Sequence, residues 1–407
     1  MKVLGIVCEY NLFHNGHLHH LNMAKKLTNA DYVICVMSGN FVQRGNPSIL
    51  DKWTRTKMAL LNGIDMVIEL PIPYCISSAY YFAYASISIL NSLNIVTDFC
   101  FGSEVGDIKP LQDLANILIN EPLEYKNHLK TYLNLGYSYA KSRELALSKY
   151  LNDDSIKDIM ACPNNILGIE YLKALVETKS TILASTITRT NDYNSNQINS
   201  DIVSSSAIRN VLNNNNLDLN SISNLMPKSC VQLLKDAINY GTVPIFLEDF
   251  DSILFSKLRC MSINELSNIN FVSEGLENRL KKCIDTTCTT NDLISSLHTK
   301  RFTDTRIKRI LLNALLGITK QKFDKFLNPS YIRVLGVSNK GKKLLGTISK
   351  SSNLPVLLSS SDALNLTSYA KELFDLECLA TNLYVLAYQN KDFKHSNQDL
   401  TNKLIVM

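Results

Sequence analysis

Short apolar runs and segments with helical spacing alternate along the first hundred residues. The runs contain no polar alternation, which is typical of strands that are buried on both faces of a sheet. They are Lys2–Cys8, Tyr32–Met37, Met66–Leu70 and Val96–Phe101, and the helical segments between them are Gly16–Leu27, Lys52–Leu61 and Ser77–Leu90. Strand and helix in strict turn predict βαβ units, and therefore an α/β fold with a Rossmann-like parallel sheet covered by helices on both faces.

The rest of the chain predicts two further regions. Residues 107–151 have a helical pattern throughout and are expected to insert into the sheet domain or to cap it. Residues 216–328 are also predicted to be helical, whereas residues 329–407 alternate strand, helix, strand and helix, which predicts a small terminal α/β module. A chain of 407 residues is too long for one ordinary core, so we predict three domains, at residues 1–215, 216–328 and 329–407.

Composition excludes several classes of protein. With 45% hydrophobic and 19% charged residues, the chain is expected to fold rather than to be disordered. Its net charge of +5 permits binding to a polyanion without requiring it. The ten cysteines form no C-x-x-C pair, and no apolar stretch reaches the roughly 18 residues that a membrane span needs. The short first run enters a polar loop at Glu9, unlike a signal peptide, so a cytoplasmic protein with free thiols and no membrane partner is predicted.

Four of the seven histidines lie between positions 14 and 20. The order is a strand, a polar loop, and then His14-Asn15-Gly16-His17 at the start of a predicted helix. A helix N-terminus offers unpaired N–H groups and about half a positive charge, and a glycine lets a phosphate approach the backbone closely. Because His14 and His17 are three residues apart, both imidazoles are expected to reach one pyrophosphate group.

Two other interpretations of the histidines remain open. The H-x-x-H spacing is half of a zinc site, but the only neighbouring candidate for a third ligand is Glu9, so no protein-held metal is expected. Alternatively, the histidines cap the helix and have a structural role only. His19 and His20 are expected at the surface or at the edge of the core.

The segment His14-Asn15-Gly16-His17 resembles the H-x-G-H signature of the nucleotidyltransferase superfamily. A second signature of that superfamily, I-S-S-T-x-x-R, is similar to residues 202–209 here. The resemblance implies that the Ser204 hydroxyl and Arg209 hold the β- and γ-phosphates at a helix start. The alternative is an ordinary helix cap followed by an exposed arginine.

Several intervening strings narrow the resemblance to the bacterial tRNA(Met) cytidine acetate ligase family. The resemblance covers essentially the whole chain and is densest from Val3 to Gly102. The strings are Met37–Gly45, Asp51-Lys52-Trp53, Glu69-Leu70-Pro71, Phe101-Gly102-Ser103-Glu104, Pro163–Gly168 and Thr188-Arg189.

This resemblance implies an enzyme that adenylates acetate with ATP and Mg²⁺ and then acetylates the wobble cytidine of elongator tRNA(Met). Catalysis would depend on His14 and His17. The ATP site would comprise Val7, Cys8, Glu9, Tyr10, Asn11, Leu12, Phe13, His14, Asn15, Gly16, His17, Leu18, His19 and His20, together with Gly102, Asn164, Arg189, Ser204 and Arg209. Alternatives for Gly102, Asn164 and Arg189 are a turn glycine, a helix cap and a solvent-exposed ion pair.

Basic residues near the end of the helical region are the candidates for tRNA binding. Arg301, Arg306 and Arg309 are expected to share an exposed helical face, opposite an apolar face. Arg44 is a candidate for the acetate carboxylate or for the tRNA backbone, and the sequence leaves both open. Two other functions also stay open: a small-molecule adenylyltransferase, and a nucleotide- and RNA-binding protein without turnover.

Overall fold

The computed structural model describes residues 1–189, 205–214, 219 and 222–407. Within these residues, eight strands form one sheet and two short strands form a separate hairpin. The strands are β1 (Val3–Cys8), β2 (Tyr32–Ser38), β3 (Phe41–Val42), β4 (Asn46–Pro47), β5 (Met66–Leu70), β6 (Asp98–Ser103), β7 (Leu183–Thr188), β8 (Ile332–Val337), β9 (Val356–Leu357) and β10 (Ile405–Val406).

The α-helices of the described residues pack around this sheet or extend from it. They are α1 (Asn15–Thr28), α2 (Lys52–Leu61), α3 (Ile72–Cys75), α4 (Ala79–Ser92), α5 (Ile108–Asn120), α6 (Leu123–Asn134), α7 (Tyr139–Leu151), α8 (Ser155–Ala161), α9 (Pro163–Glu177), α10 (Ser205–Asn214), α11 (Lys228–Asn239), α12 (Asp251–Cys260), α13 (Ile263–Asn268), α14 (Leu276–Thr286), α15 (Thr290–Leu297), α16 (Asp304–Leu316), α17 (Lys320–Lys325), α18 (Lys342–Ser351), α19 (Ser368–Tyr384) and α20 (Gln398–Thr401).

The sheet confirms the predicted α/β architecture. Its strand order is β10-β8-β5-β2-β1-β6-β7, with β9 paired to β8, and β1 is parallel to both of its neighbours. One hydrophobic core packs α1, α2 and α11 against one face, and another packs α4, α5 and α9 against the other. Helices on both faces leave the central strands β1, β2 and β5 without a solvated side, which explains why their sequences are apolar without alternation.

The terminal α/β module is the part of the predicted architecture that the structure corrects. Strand β8 pairs antiparallel with β5, and β9 and β10 both pair with β8, so these strands extend the main sheet instead of forming a second one. All six residues of β8 are buried. The boundary predicted at residue 215 lies outside the described residues, and the helical nature of residues 228–325 agrees with the structure.

Five buried charged side chains, which we call the buried charge cluster, join the terminal segment to the sheet. Lys52 Nζ lies 2.5 Å from Glu69 and 2.6 Å from Asp399, and Arg333 contacts the same two carboxylates. Glu377, whose pKa burial raises well above its usual value, lies 3.5 Å from Lys52. Two cations therefore face three carboxyl groups in a site removed from water.

Residues 107–151 form three helices. Helix α5 packs against α9, and α6 and α7 form an antiparallel hairpin beside the sheet domain. Among the helices of the described residues, none has both the length and the apolar character needed to cross a bilayer.

Candidate active site

Several of the predicted ATP-site residues that the structure describes lie at one edge of the sheet, where the parallel strands end. The loop after β1 leads into α1, Gly102 is the penultimate residue of β6, and Arg189 follows β7 directly. Strand β1 lies between β2 and β6, so the chain leaves it toward one side and returns on the other. Such a switch point opens a crevice beyond the carboxyl ends of the strands, which is where ligands of open α/β sheets bind.

His14 and His17 cap the first helix with their side chains. His14 Nδ1 accepts a hydrogen bond from Gly16 N at 3.0 Å, and His17 Nδ1 accepts one from His14 N at 3.3 Å. The two rings stack with centroids 3.8 Å apart. A neutral imidazole that accepts through Nδ1 carries its proton on Nε2, which makes Nε2 the donor of each ring. Both caps therefore use Nδ1, and the Leu12 main chain forms a further hydrogen bond with the His17 ring.

Both histidines are held in the neutral form. Burial, with Arg189 and Arg209 nearby, lowers the pKa of His14 to about 3, and burial likewise lowers the pKa of His17 well below its usual value. A neutral imidazole still carries one N–H that can donate a hydrogen bond. The positive charge of the site consequently comes from its arginines and from the helix N-terminus, not from imidazolium groups.

The apolar side chains of the first loop are packed into the core. The side chains of Tyr10, Leu12 and Phe13 are almost wholly buried, and the Tyr10 and Phe13 rings lie 4.7 Å apart. Tyr10 also meets the His17 ring edge-on at 5.1 Å. This packing fixes the ring of His17.

Arg189 lies across Gly102 beside His20. A Cβ at Gly102 would come within 3.2 Å of the Arg189 side chain and 3.7 Å of His20, so a larger residue there would press on both. His20 Nε2 and Arg189 Nε are both buried and have no hydrogen-bond partner among the described residues. His20 forms a hydrogen bond with the Phe101 main chain through its other ring nitrogen, so Arg189 Nε is the unpaired buried donor at the end of β6, and it fits an oxygen-rich ligand such as a nucleotide. His19, in contrast, is exposed.

The second predicted signature reaches the first through Arg209. Its Nη1 donates to the Asn11 carbonyl at 2.7 Å, which brings the start of α10 to the loop after β1. Ser204 lies outside the described residues, so its predicted phosphate contact stays a prediction.

Glu9, Arg44 and Arg55 join the loops that follow β1 and β2. The Glu9 carboxylate accepts from Gln43 N at 2.7 Å, and burial raises its pKa, whereas the Gln43 amide and three arginines, Arg44 among them, act against that rise. Arg55 is fully buried and donates to the carbonyls of residues 9, 38, 39 and 50. The structure thus places Arg44 beside the active-site loop, near a carboxylate.

The three arginines predicted to bind tRNA do not share an exposed face, which corrects that prediction. Arg309 is mostly buried and donates to the Ser77 carbonyl at 2.7 Å, and burial lowers its pKa to about 10. Arg306 stacks on Phe302 and donates to main-chain and hydroxyl oxygens nearby. Only Arg301 of the three is exposed. Arg309 turns inward because the loops at residues 45 and 77 cover that part of α16.

Among the described residues, no group of three histidine, cysteine, aspartate or glutamate side chains is arranged to hold a metal ion. The ten cysteines are free thiols.

Comparison with known proteins agrees with this geometry. A sequence model of the HIGH nucleotidyl transferase family matches residues 1–399. A tRNA(Met) cytidine acetate ligase of Acetivibrio thermocellus is 46% identical, with all of both chains covered, and one of Thermoanaerobacter pseudethanolicus is 44% identical over 97% of this chain and 99% of that one. The crystal structure of Thermotoga maritima TmcAL bound with alpha-thio ATP is 34% identical, covers all of both chains and superposes with a TM-score of 0.94.

The chain belongs to the tRNA(Met) cytidine acetate ligase family. This membership accounts for the density of matching strings around the loops after β1 and β2, which the structure brings to one edge of the sheet. Sequence patterns did not identify the residues that hold those loops in place. Arg55 and Ser77 carry no motif of their own. Glu104 could have been identified from the sequence, because it is the last residue of the string Phe101-Gly102-Ser103-Glu104, directly after β6.

We predict that His14→Asn and His14→Ala separate the two roles of this histidine. Asparagine is a good N-cap, so His14→Asn should keep the stability of the protein, whereas His14→Ala should lose about 1 kcal/mol. Both variants should bind ATP roughly 10- to 100-fold more weakly, because each loses a ring donor to phosphate. Urea unfolding and ATP titration measure the two effects.

The matched control for these variants is His19→Asn, on the exposed side of the same helix. It should change neither stability nor ATP affinity. Wild-type ATP affinity in His14→Asn would show that His14 is only a cap.

Proposed function

We propose that this chain uses ATP to acetylate the wobble cytidine of elongator tRNA(Met), forming N4-acetylcytidine through an acetyl-adenylate and releasing AMP and pyrophosphate. The observation that carries the proposal is the hydrogen bond from Arg209 to the Asn11 carbonyl, which joins both nucleotidyltransferase signatures around one helix N-terminus. Full-length relatives named tRNA(Met) cytidine acetate ligase support the substrate. The alpha-thio ATP of the Thermotoga maritima structure supports the nucleotide.

The first step needs positioning and charge, not a general base. Acetate has lost its proton at neutral pH, as carboxyl groups with pKa values near ~4 do, so its oxygen can attack the α-phosphorus directly. The bond from the α-phosphorus to the bridging oxygen breaks, and pyrophosphate leaves. In this proposal His14 and His17, with Arg189 and Arg209, stabilise the negative charge of the departing group. Arg44, beside Glu9, is our candidate for orienting the acetate carboxylate.

Mg²⁺ enters this proposal together with ATP. Phosphate oxygens and water supply most ligands of Mg²⁺ at such sites, and its charge assists the departure of pyrophosphate.

In the second step, the exocyclic amine of cytidine attacks the acetyl carbon. The bond between that carbon and the AMP oxygen breaks, AMP leaves, and the amine gives up one proton as the amide forms. The site lies in a crevice at the edge of the sheet, so the base must leave the stacked anticodon loop to reach it. A tRNA substrate implies that the reaction occurs in the cytoplasm.

The groove between the α6–α7 hairpin and the helical region is our revised candidate for tRNA binding. Gly136, at the tip of the hairpin, faces residues 274–302 across a groove of about 410 Å³. Arg279, Lys300 and Arg301 line it, against the single carboxylate of Glu274, which pairs with Arg301 at 2.8 Å. A positive balance at this groove suits a nucleic-acid backbone.

Acetyl transfer to tRNA tests the proposed function. The protein should transfer radiolabelled acetate from ATP and acetate to an elongator tRNA(Met) transcript, and nucleoside analysis should find N4-acetylcytidine. A transcript with uridine in place of the wobble cytidine should take up no label, because it lacks the exocyclic amine. Label in that control, or adenylyl transfer to nicotinamide mononucleotide or phosphopantetheine in place of acetylation, would contradict the proposal.

We predict that Lys300→Ala combined with Arg301→Ala weakens tRNA binding about tenfold at moderate salt. The logarithm of affinity should also depend less steeply on salt, by about 1.5 in slope, since two fewer counterions are released. ATP affinity should stay unchanged. Filter binding across a salt series measures the effect.

The matched control combines Lys25→Ala with Lys26→Ala, which removes the same two positive charges. These lysines lie in the last turn of α1, at the opposite edge of the sheet. This control should bind tRNA like the wild type. Equal losses in both variants would mean that only net charge matters and that the groove is not the binding surface.

A further inference from the structure

A reciprocal set of hydrogen bonds locks the loop after β6 to the start of α9. Glu104 Oε2 accepts from Asn165 N at 2.9 Å, and Asn165 Oδ1 accepts in return from Glu104 N at 2.9 Å and from Val105 N at 3.1 Å. Pro163 occupies the first turn of α9, where its missing N–H costs nothing. The carboxylate thus caps α9 and fixes where the helix begins relative to Gly102.

The same carboxylate also sets the orientation of the Asn164 amide. Asn164 Nδ2 donates to Glu104 Oε1 at 2.6 Å, and Asn164 N approaches the same oxygen at 3.3 Å. A carboxylate can only accept hydrogen bonds, so the NH₂ group of the amide must face Glu104. The amide oxygen is therefore turned the other way. None of the hydrogen bonds between described residues uses Asn164 Oδ1, and the side chain is only half-buried.

We infer that Glu104 is a positioning and specificity-determining residue, which holds Asn164 Oδ1 as a hydrogen-bond acceptor for a donor group of the bound nucleotide. This inference rests on the proposed function, in which ATP binds at this edge of the sheet. The donor is the 6-amino group of adenine or a ribose hydroxyl, which share the chemistry that Asn164 Oδ1 recognises. Glu104 acts through Asn164 and does not itself touch the nucleotide.

Because it fixes the orientation of the Asn164 amide, Glu104 affects how well the site discriminates between nucleotides. A simple helix cap has no such effect. A free amide can rotate by half a turn and present either its oxygen or its NH₂ group, so it accepts ligands of both kinds. An amide held by a carboxylate presents only the oxygen and leaves it unpaired when the ligand lacks the donor. Glu104→Gln allows the Asn164 amide to rotate again, because a glutamine amide can either accept a hydrogen bond from Asn164 or donate one to it.

Nucleotide binding in the absence of acetate and tRNA tests the inference. Calorimetric titration of the full chain should compare ATP with ITP, which lacks the 6-amino group, and with 2′-deoxy-ATP and 3′-deoxy-ATP, which each lack one hydroxyl. We expect the wild type to bind one of these analogues about 10- to 100-fold more weakly than ATP, which identifies the donor. In Glu104→Gln, ATP should bind about tenfold more weakly, and discrimination against that analogue should fall below about threefold.

Two further variants keep this test from being confused with a loss of folding. Asn164→Ala should lose the same discrimination, because it removes the acceptor itself. Asp107→Asn, which changes the exposed carboxylate that caps α5, should leave ATP affinity and discrimination unchanged. Thermal unfolding of each variant separates a loss of α9 stability, which would weaken all four nucleotides equally, from a loss of orientation.

Equal binding of all four nucleotides by the wild type would overturn the inference, as would unchanged discrimination in Glu104→Gln. This test measures nucleotide binding alone, so it is independent of the acetylation assay. If the wild type discriminates between the nucleotides but does not acetylate tRNA, the proposed function is wrong and the role of Glu104 is still supported.

Discussion

The active site depends on one buried guanidinium, that of Arg55. It lies on α2, is removed from solvent, and donates to carbonyl oxygens of the loops after β1 and β2 as well as to Leu50. Carbonyl acceptors satisfy its N–H groups without cancelling its charge. The two loops are therefore held as one unit, and the carboxyl edge of the sheet keeps a positive charge behind the place where a triphosphate would lie.

The terminal segment supports these loops from the other side. Asn40 donates to Thr381 on α19 at 3.2 Å, the Tyr384 hydroxyl donates to the Ser48 carbonyl at 2.8 Å, and Arg309 on α16 donates to the Ser77 carbonyl. Gly45, with a φ of 75°, leaves no room for a Cβ, which would come within 2.7 Å of the α16 backbone. The loops at this edge of the sheet are consequently supported by both ends of the chain.

Sequence patterns were most informative where burial is uniform. Strand β5 and helix α2 have the bounds that the apolar pattern predicts, because a parallel strand buried on both faces and an amphipathic helix leave distinct periodicities. The antiparallel pairing of β8 with β5 has no such signature, so residues 332–337 could not be assigned to the main sheet. Helical periodicity placed Arg309 on a polar face, but no local pattern shows that a distant loop covers that face. Glu104 and Arg55 act on the main chain of other segments, which single-sequence motifs do not record.

Acetate-dependent exchange of labelled pyrophosphate into ATP, without tRNA, tests the central claim most directly. If the edge of the sheet around His14, Arg189 and Arg209 activates acetate as an adenylate, the label should enter ATP only when acetate is present, and omission of tRNA should not stop it. Exchange without acetate, or exchange that requires tRNA, would contradict an acetyl-adenylate formed by this chain alone at that site.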